Sequence, residues 1–469
     1  MKKNRLSPAL LAASATVALL AGTLTAEAGG FAIREQSIYF QGMSFAGSAA
    51  GGQSPSSLFW NPSTITQHNG HAGEQNATVV APRSTIDVDS ATTPALGATL
   101  PALPITPADS SQVGHAALVP AGYTVLQLTD RFWVGMGINA PFGLGVDADG
   151  DYAGRYHGIE GHLATYDFNP VVGLKINDYV SLGAGAQIMY GTAKLTQRTR
   201  TATILGTTAV PFDATSELTG DGWGFGFTAG ITVTPTPSTR IGLGYRSQVD
   251  LNLDGDVFLR DIAPLVAAPL PSRLNLVDIE TTVNLPDVVT LSVTHDFSER
   301  FRGSATVEWT NWSRFKEIKI ESKQASTALA LPIAAGDTLQ VVEQKFDDGW
   351  FFALGGEFDA TEHLTFRAGA AYEISPVQDK YRTPRTPDAD RIWLSAGATY
   401  RHNDRLAVDV AYTHIFIEDG DINLANYNQA SNGGTGDQAA LKATAVNQSV
   451  DIFGVSLRYK LGGSPIFAR

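Results

Sequence analysis

The chain has 469 residues, no cysteine, 47 glycines and 33 basic against 46 acidic residues, a net charge of −13. Charged residues make up only 17%, against about 25% in an ordinary soluble domain. The acidic balance excludes nucleic acid as a partner. Zero cysteines exclude a disulfide scaffold, a thiolate metal site and a cysteine nucleophile. Beyond the first 30 residues no run of 18 apolar residues occurs, which excludes membrane-spanning helices. Sparse charge with many glycines and aromatics leaves a membrane β-barrel.

Residues 1–28 read as a signal peptide: Lys2, Lys3 and Arg5 precede an apolar run from Leu10 to Leu24, and Ala26-Glu27-Ala28 fits a cleavage site. Residues 29–70 follow, rich in Gly, Ala and Ser, with turn signals at Gly51-Gly52 and Ser54-Pro55. Their apolar residues, among them Phe31, Ile33, Phe40, Phe45, Phe59 and Trp60, show no strand period. The segment is too apolar for a solvated tail. The core available to it is a barrel lumen, so it is expected to form a plug.

Residues 71–469 are expected to form an antiparallel transmembrane β-barrel. Period-2 alternation and turn signals predict fourteen strands: 73–88, 115–128, 131–140, 163–175, 179–197, 222–234, 239–253, 278–297, 300–311, 349–358, 363–373, 391–400, 405–416 and 448–460. Leu364, Phe366, Ala368, Ala370 and Tyr372 alternate with Thr365, Arg367, Gly369, Ala371 and Glu373. Such a strand suits lipid on one face and a polar lumen on the other. The strand 278–297 is read as continuous despite Pro286. Long and short links alternate throughout. The long ones are 89–114, 141–162, 198–221, 254–277, 312–348, 374–390 and 417–447; the short ones have two to four residues. An up-and-down barrel with tight periplasmic turns and long extracellular loops accounts for that regularity; a Greek-key sandwich does not. Phe132, Tyr179, Phe297, Phe301, Phe358, Tyr400 and Tyr459 fall at short-turn or C-terminal ends. Tyr190, Trp223, Trp309, Trp350, Tyr372, Trp393 and Tyr412 fall toward long links, as two interfacial girdles would.

In the third predicted strand, Gly135 and Gly137 weaken pairing and Pro141 removes a ladder donor, so a break is least costly there. Asp147-x-Asp149-x-Asp151 fails the calcium-loop template, because Tyr152 and Gly158 stand at positions 6 and 12. His157, Glu160 and His162 read as a solvated cluster in preference to a zinc site. No catalytic residues, cofactor or metal are expected, and the chain is read as no enzyme.

Gly30-Phe31, Gly42…Phe45-Ala46-Gly47 and Phe59-Trp60-Asn61-Pro62-Ser63 resemble the hatch of the FadL family, the outer-membrane transporters of long-chain fatty acids. Ala140-Pro141-Phe142-Gly143-Leu144, Leu285-Pro286-Asp287, Trp312-Ser313-Arg314-Phe315, Ser375-Pro376-Val377 and Pro387-Asp388-Ala389-Asp390-Arg391 extend the likeness over about 430 residues. The resemblance implies a monomeric barrel of fourteen strands in the Gram-negative outer membrane, closed by a hatch at 29–70. It implies capture of a hydrophobic ligand among the loops, passage to a lumen pocket touching the hatch, and lateral exit into the lipid at a kinked third strand. Long-chain fatty acids are the expected ligands; an aromatic-hydrocarbon transporter and a surface-adhesion barrel are the alternatives. The expected ligand-binding residues are Phe31, Ile33, Phe59, Asn61 and Pro62 in the hatch, with Arg155, Lys194, Arg198, Arg314 and Lys316 for a carboxylate. Gly135, Gly137 and Pro141 are expected at the lateral gate. A lumen ion pair such as Arg367 with Asp409 is the competing role for the basic residues. The last strand is followed by Lys460 to Arg469, with Phe467 third from the end, where barrels of this kind commonly end on an aromatic.

Overall fold

The computed structural model describes residues 30–96, 100–205, 208–262, 273–326, 333–424 and 439–461. The expected signal peptide and Phe467 lie outside these residues. Alternating sequences pair into one antiparallel sheet of twenty-one extended segments that closes on itself. Seven of the staves are broken in two, so the wall has fourteen: β1 (His71–Ala91), β2 (Ser111–Gln112, Ala117–Gln127), β3 (Phe132–Asn139, Gly143–Asp147), β4 (Glu160–Lys175), β5 (Val180–Leu205), β6 (Thr208–Thr236), β7 (Thr239–Arg246, Val249–Arg260), β8 (Arg273–Leu285, Val288–Asp296), β9 (Phe301–Thr310, Glu317–Ser322), β10 (Thr338–Glu343, Gly349–Asp359), β11 (Leu364–Ile374), β12 (Arg391–Asn403), β13 (Leu406–Ile417, Gly420–Asn423) and β14 (Leu441–Lys460). Pairing of β1 with β14, from Ala72↔Lys460 to Ala91↔Leu441, completes the ring. Closure leaves no sheet edge to meet lipid.

The outward face is apolar. Phe366, Tyr372, Leu394, Val410, Phe453 and Leu457 are exposed, while their inward neighbours Arg367, Glu373, Asp409 and Arg458 are buried. Exposed aromatics gather at both ends: Tyr179, Phe297, Phe301, Phe358 and Tyr400 beside short turns, and Trp223, Trp350, Tyr372 and Tyr412 toward the loops. Trp393 departs from the expected girdle. Ile392 and Leu394 take the outward positions, so period 2 turns Trp393 inward, where its indole N–H donates to Glu373 Oε2 at 3.1 Å. Pro286 breaks β8 for two residues without changing the stave count. Several expected loops are instead extensions of the strands. In 198–221, β5 and β6 stay paired from Arg198↔Thr215 to Leu205↔Thr208. That stretch is rich in β-branched Thr, which suits a strand, and it carries the hairpin beyond the apolar belt.

Residues 30–70 pass through the lumen and are buried almost throughout. Their short helices start where the sequence places caps: Ser37 caps α1 (Ile38–Gln41), and Ser54-Pro55 and Asn61-Pro62 start two 3-10 turns with a side-chain acceptor followed by proline. The wall receives this segment at glycines. A Cβ on Gly183 would run into the Pro62–Ser63 backbone, one on Gly244 into Trp60, and one on Gly369 into Met43. Charges fasten it. Arg34 pairs with Glu308 and Glu373, and Tyr39 Oη donates to Glu357 at 2.9 Å. Below these, Arg367 lies 3.5 Å from Asp409, the pair foreseen as a competing role, and Arg458 lies 2.6 Å from the same carboxylate.

Candidate functional site

The ladders of the wall are interrupted between β8 and β9, from Val288↔Thr310 to Glu280↔Glu321, and between β2 and β3, where the N-terminal segment meets the gap. The β2–β3 ladder holds six pairs and stops at Gly122↔Ile138; the next bridge is Gly114↔Val146. On its other side β3 pairs with β4 through Asn139↔Asp167, then resumes at Gly143↔Ala164. Four steps on β3 match three on β4, so one extra residue bulges at 140–142. Pro141 sits in the bulge. Gly135 and Gly137 lie outside it, regularly paired with Val171 and Asn169, and make room for Ile65 and Leu58 of the N-terminal segment.

Backbone groups stranded by such a break need partners, because lipid offers none. The N-terminal segment supplies them from inside. Gln36 Nε2 donates to Ala140 O at 2.8 Å, and Ala140 N–H donates to Gln36 Oε1 at 3.2 Å. Ile33 N–H donates to Pro141 O at 2.8 Å, and Gly143 N–H to Phe31 O at 2.9 Å. Ile33 is buried here, against the bulge.

Phe31 carries this seal to an aromatic cluster. Its ring lies 4.5 Å from Trp312, 5.1 Å from Phe315 and 6.2 Å from Phe142, all edge-on. Phe346 completes the cluster against Trp312 and Phe315. Edge-to-face packing of this kind adds about 0.5–1.5 kcal/mol per pair beyond burial. One face of Phe31 also lines an apolar cavity of ≈ 80 Å³ with Leu144, Leu163, Leu253 and Val283. A second cavity of ≈ 180 Å³ lies nearer the loop tips, and the two share Leu195, Leu218, Ile320, Val342 and Arg385. Together they form an apolar passage from the hairpins of β5–β10 down to Phe31.

The structure scatters the other expected ligand-binding residues. Phe59, Asn61 and Pro62 sit deeper and hold the segment to the wall: Arg246 stacks on Phe59 at 4.2 Å, and Asn61 Nδ2 donates to Ala49 O at 2.7 Å and Ile231 O at 3.1 Å. The basic residues pair with acids near the loop end of the barrel. Arg155 meets Asp213 (3.3 Å), Lys194 meets Glu160 (2.5 Å), Arg198 meets Asp261 (2.8 Å) and Arg314 meets Asp250 (2.9 Å), while Lys316 is exposed. None of these five lines either cavity. The acidic run also disperses: Asp147 accepts from His162 (2.7 Å) and pairs with His115, Asp149 accepts from Ser111, and Asp151 faces Arg198. Sequence reasoning missed Arg385 and Gln344 on the passage and Gln36 at the bulge. Thr383-Pro384-Arg385-Thr386 carried a turn signal, whereas nothing in the sequence points to the two glutamines.

Residues 19–461 match the family described as outer membrane protein transport protein (OMPP1/FadL/TodX). The chain is 29% identical to the 47 kDa outer membrane protein of Pasteurella multocida, over 88% of this chain and 92% of that one. It is 27% identical to the long-chain fatty acid transport protein of Salmonella typhi, over 86% and 91%. A crystal structure of a Pseudomonas aeruginosa FadL homologue superposes with a TM-score of 0.77 at 24% identity, covering 92% of this chain and all of that one. The chain therefore belongs to the FadL/TodX family of outer-membrane β-barrels, transporters of hydrophobic compounds and not enzymes.

Proposed function

We propose that this protein carries long-chain fatty acids passively across the outer membrane. A ligand enters the apolar passage among the loops and displaces Phe31. It then leaves through the opening between β2 and β3 into the bilayer. The observation that carries this reading is the position of Phe31: its side chain lines the passage, and its backbone carbonyl helps seal the bulge at 140–142. At ≈ 80 Å³ the lower cavity is well below the ≈ 300–1,000 Å³ of an ordinary small-molecule site, so a long chain must displace its lining. Moving Phe31 also pulls at Gly143, and moving Ile33 releases Pro141. Lateral release suits the cargo, since each methylene gains roughly 0.8 kcal/mol on leaving water for hydrocarbon. The similarity to a long-chain fatty acid transport protein supports the choice of cargo.

The test is oleate uptake in cells lacking their own transporter. The intact protein should restore uptake; Phe31→Ala and deletion of residues 29–45 should each change it. Uptake equal to that of empty-vector cells with every form would overturn the reading. Uptake of toluene without oleate would select an aromatic-hydrocarbon carrier instead.

A further inference from the structure

The loop from β11 to β12 reaches over the lumen mouth to β5. At its tip, Thr386 N–H donates to Thr383 O at 3.1 Å, closing a tight turn. Pro384 occupies the second position, where its fixed φ favours the bend. The turn thus presents Arg385, whose guanidinium Nη2 donates to Thr196 O and Gln197 Oε1 on β5, both at 3.0 Å. The loop is held rigidly. Arg382 donates to the Asp388 and Asp421 carbonyls and pairs with Asp379, while Asp388 pairs with Arg391 and accepts from Gly30 N–H.

Arg385 lines both cavities of the passage. Among the described residues lining them, it is the one Lys or Arg. A guanidinium set in a wall of Leu, Ile and Val matches a molecule with one anionic end and a long apolar body. Charge-assisted hydrogen bonds are the stronger kind, and low surrounding dielectric strengthens them further.

We propose that Arg385 determines specificity in the passage by binding the carboxylate of a long-chain ligand. The alkyl chain lies along Leu195, Leu218, Ile320 and Val342. This deepens the fatty-acid reading above and rests on it. The geometry assigns the carboxylate to the β11–β12 loop, away from the ion pairs of Arg155, Lys194, Arg198 and Arg314.

The experiment measures binding of oleate and of oleyl alcohol, which differ in the charged end alone, to the purified barrel in detergent. Arg385→Gln should weaken oleate binding by roughly tenfold to a hundredfold and leave oleyl alcohol within about twofold. Arg385→Lys should recover part of the oleate affinity. Heat-modifiable migration on a gel verifies that each variant is folded. Equal losses for both ligands would make Arg385 a structural residue and overturn the assignment, as would unchanged oleate binding. Failure of the unmodified protein to bind oleate would overturn the fatty-acid reading itself, and the assignment with it.

Discussion

At the residue scale, the lumen works by pairing charges that the sequence scatters. Asp409 is fully buried and serves Arg458, Arg367, Thr399 and Ser456 at once. Removing its charge leaves two guanidiniums in the lumen without their shared partner. Removing one partner of a buried pair costs on the order of 3–5 kcal/mol. Asp409→Asn should therefore lower the temperature at which the barrel loses its compact gel mobility, while the conservative Thr399→Ser should hardly move it. The Arg367–Asp409 pairing was legible because alternation put both side chains on the lumen face. Arg385 was not legible, since a loop residue obeys no period and its partners lie on a strand across the barrel. Trp393 misled for a related reason: tryptophan suits an interfacial belt, and alternation, which governs, points it inward.

At the element scale, the loop 148–159 is clamped by burial. His157 is buried beside Arg385, and burial, then that guanidinium, push its pKa down to about 4. A neutral buried histidine costs nothing above its unfolded pKa of about 6.5. Below that value the unfolded loop takes up the proton more readily, so stability is lost progressively as pH falls from about 6.5 toward 4. Hydrogen exchange across residues 148–159 should accelerate over that window, and His157→Gln should flatten the dependence. An unchanged exchange rate between pH 7 and pH 4.5 would refute it. Most strands were legible because lipid and lumen impose opposite polarity on neighbouring residues. Their upper ends were not, because beyond the apolar belt the outer face of a hairpin such as β5–β6 no longer meets lipid and the contrast between the faces weakens.

At the scale of the whole molecule, the wall is shaped to its filling. Gly183 and Gly244 leave no room for a side chain between strand and N-terminal segment. Gly183→Val combined with Gly244→Val should push that segment off the wall. Sensitivity of intact cells to a large hydrophilic antibiotic should then rise several-fold, with the barrel itself still heat-modifiable; unchanged sensitivity would show that the segment tolerates the displacement. The number of glycines was legible in the sequence, but not their purpose, which depends on what lies across the lumen from each.

The seam between β1 and β14 has a consequence for biogenesis. The N-terminal segment runs directly into β1, and β1 cannot pair with β14 until the last strand of the chain has been made. The segment is ringed by the wall and fastened to residues as distant as Arg458, through Gln53 O, and Ile452, through Gln41. Threading it in after the ring has shut would require passing its aromatics through an interior already cut to their shape. Residues 30–70 must therefore wait, unpacked, for β14. Closing the seam and enclosing the segment are then one event in assembly, with the nascent barrel acting as the mould in which its own filling sets.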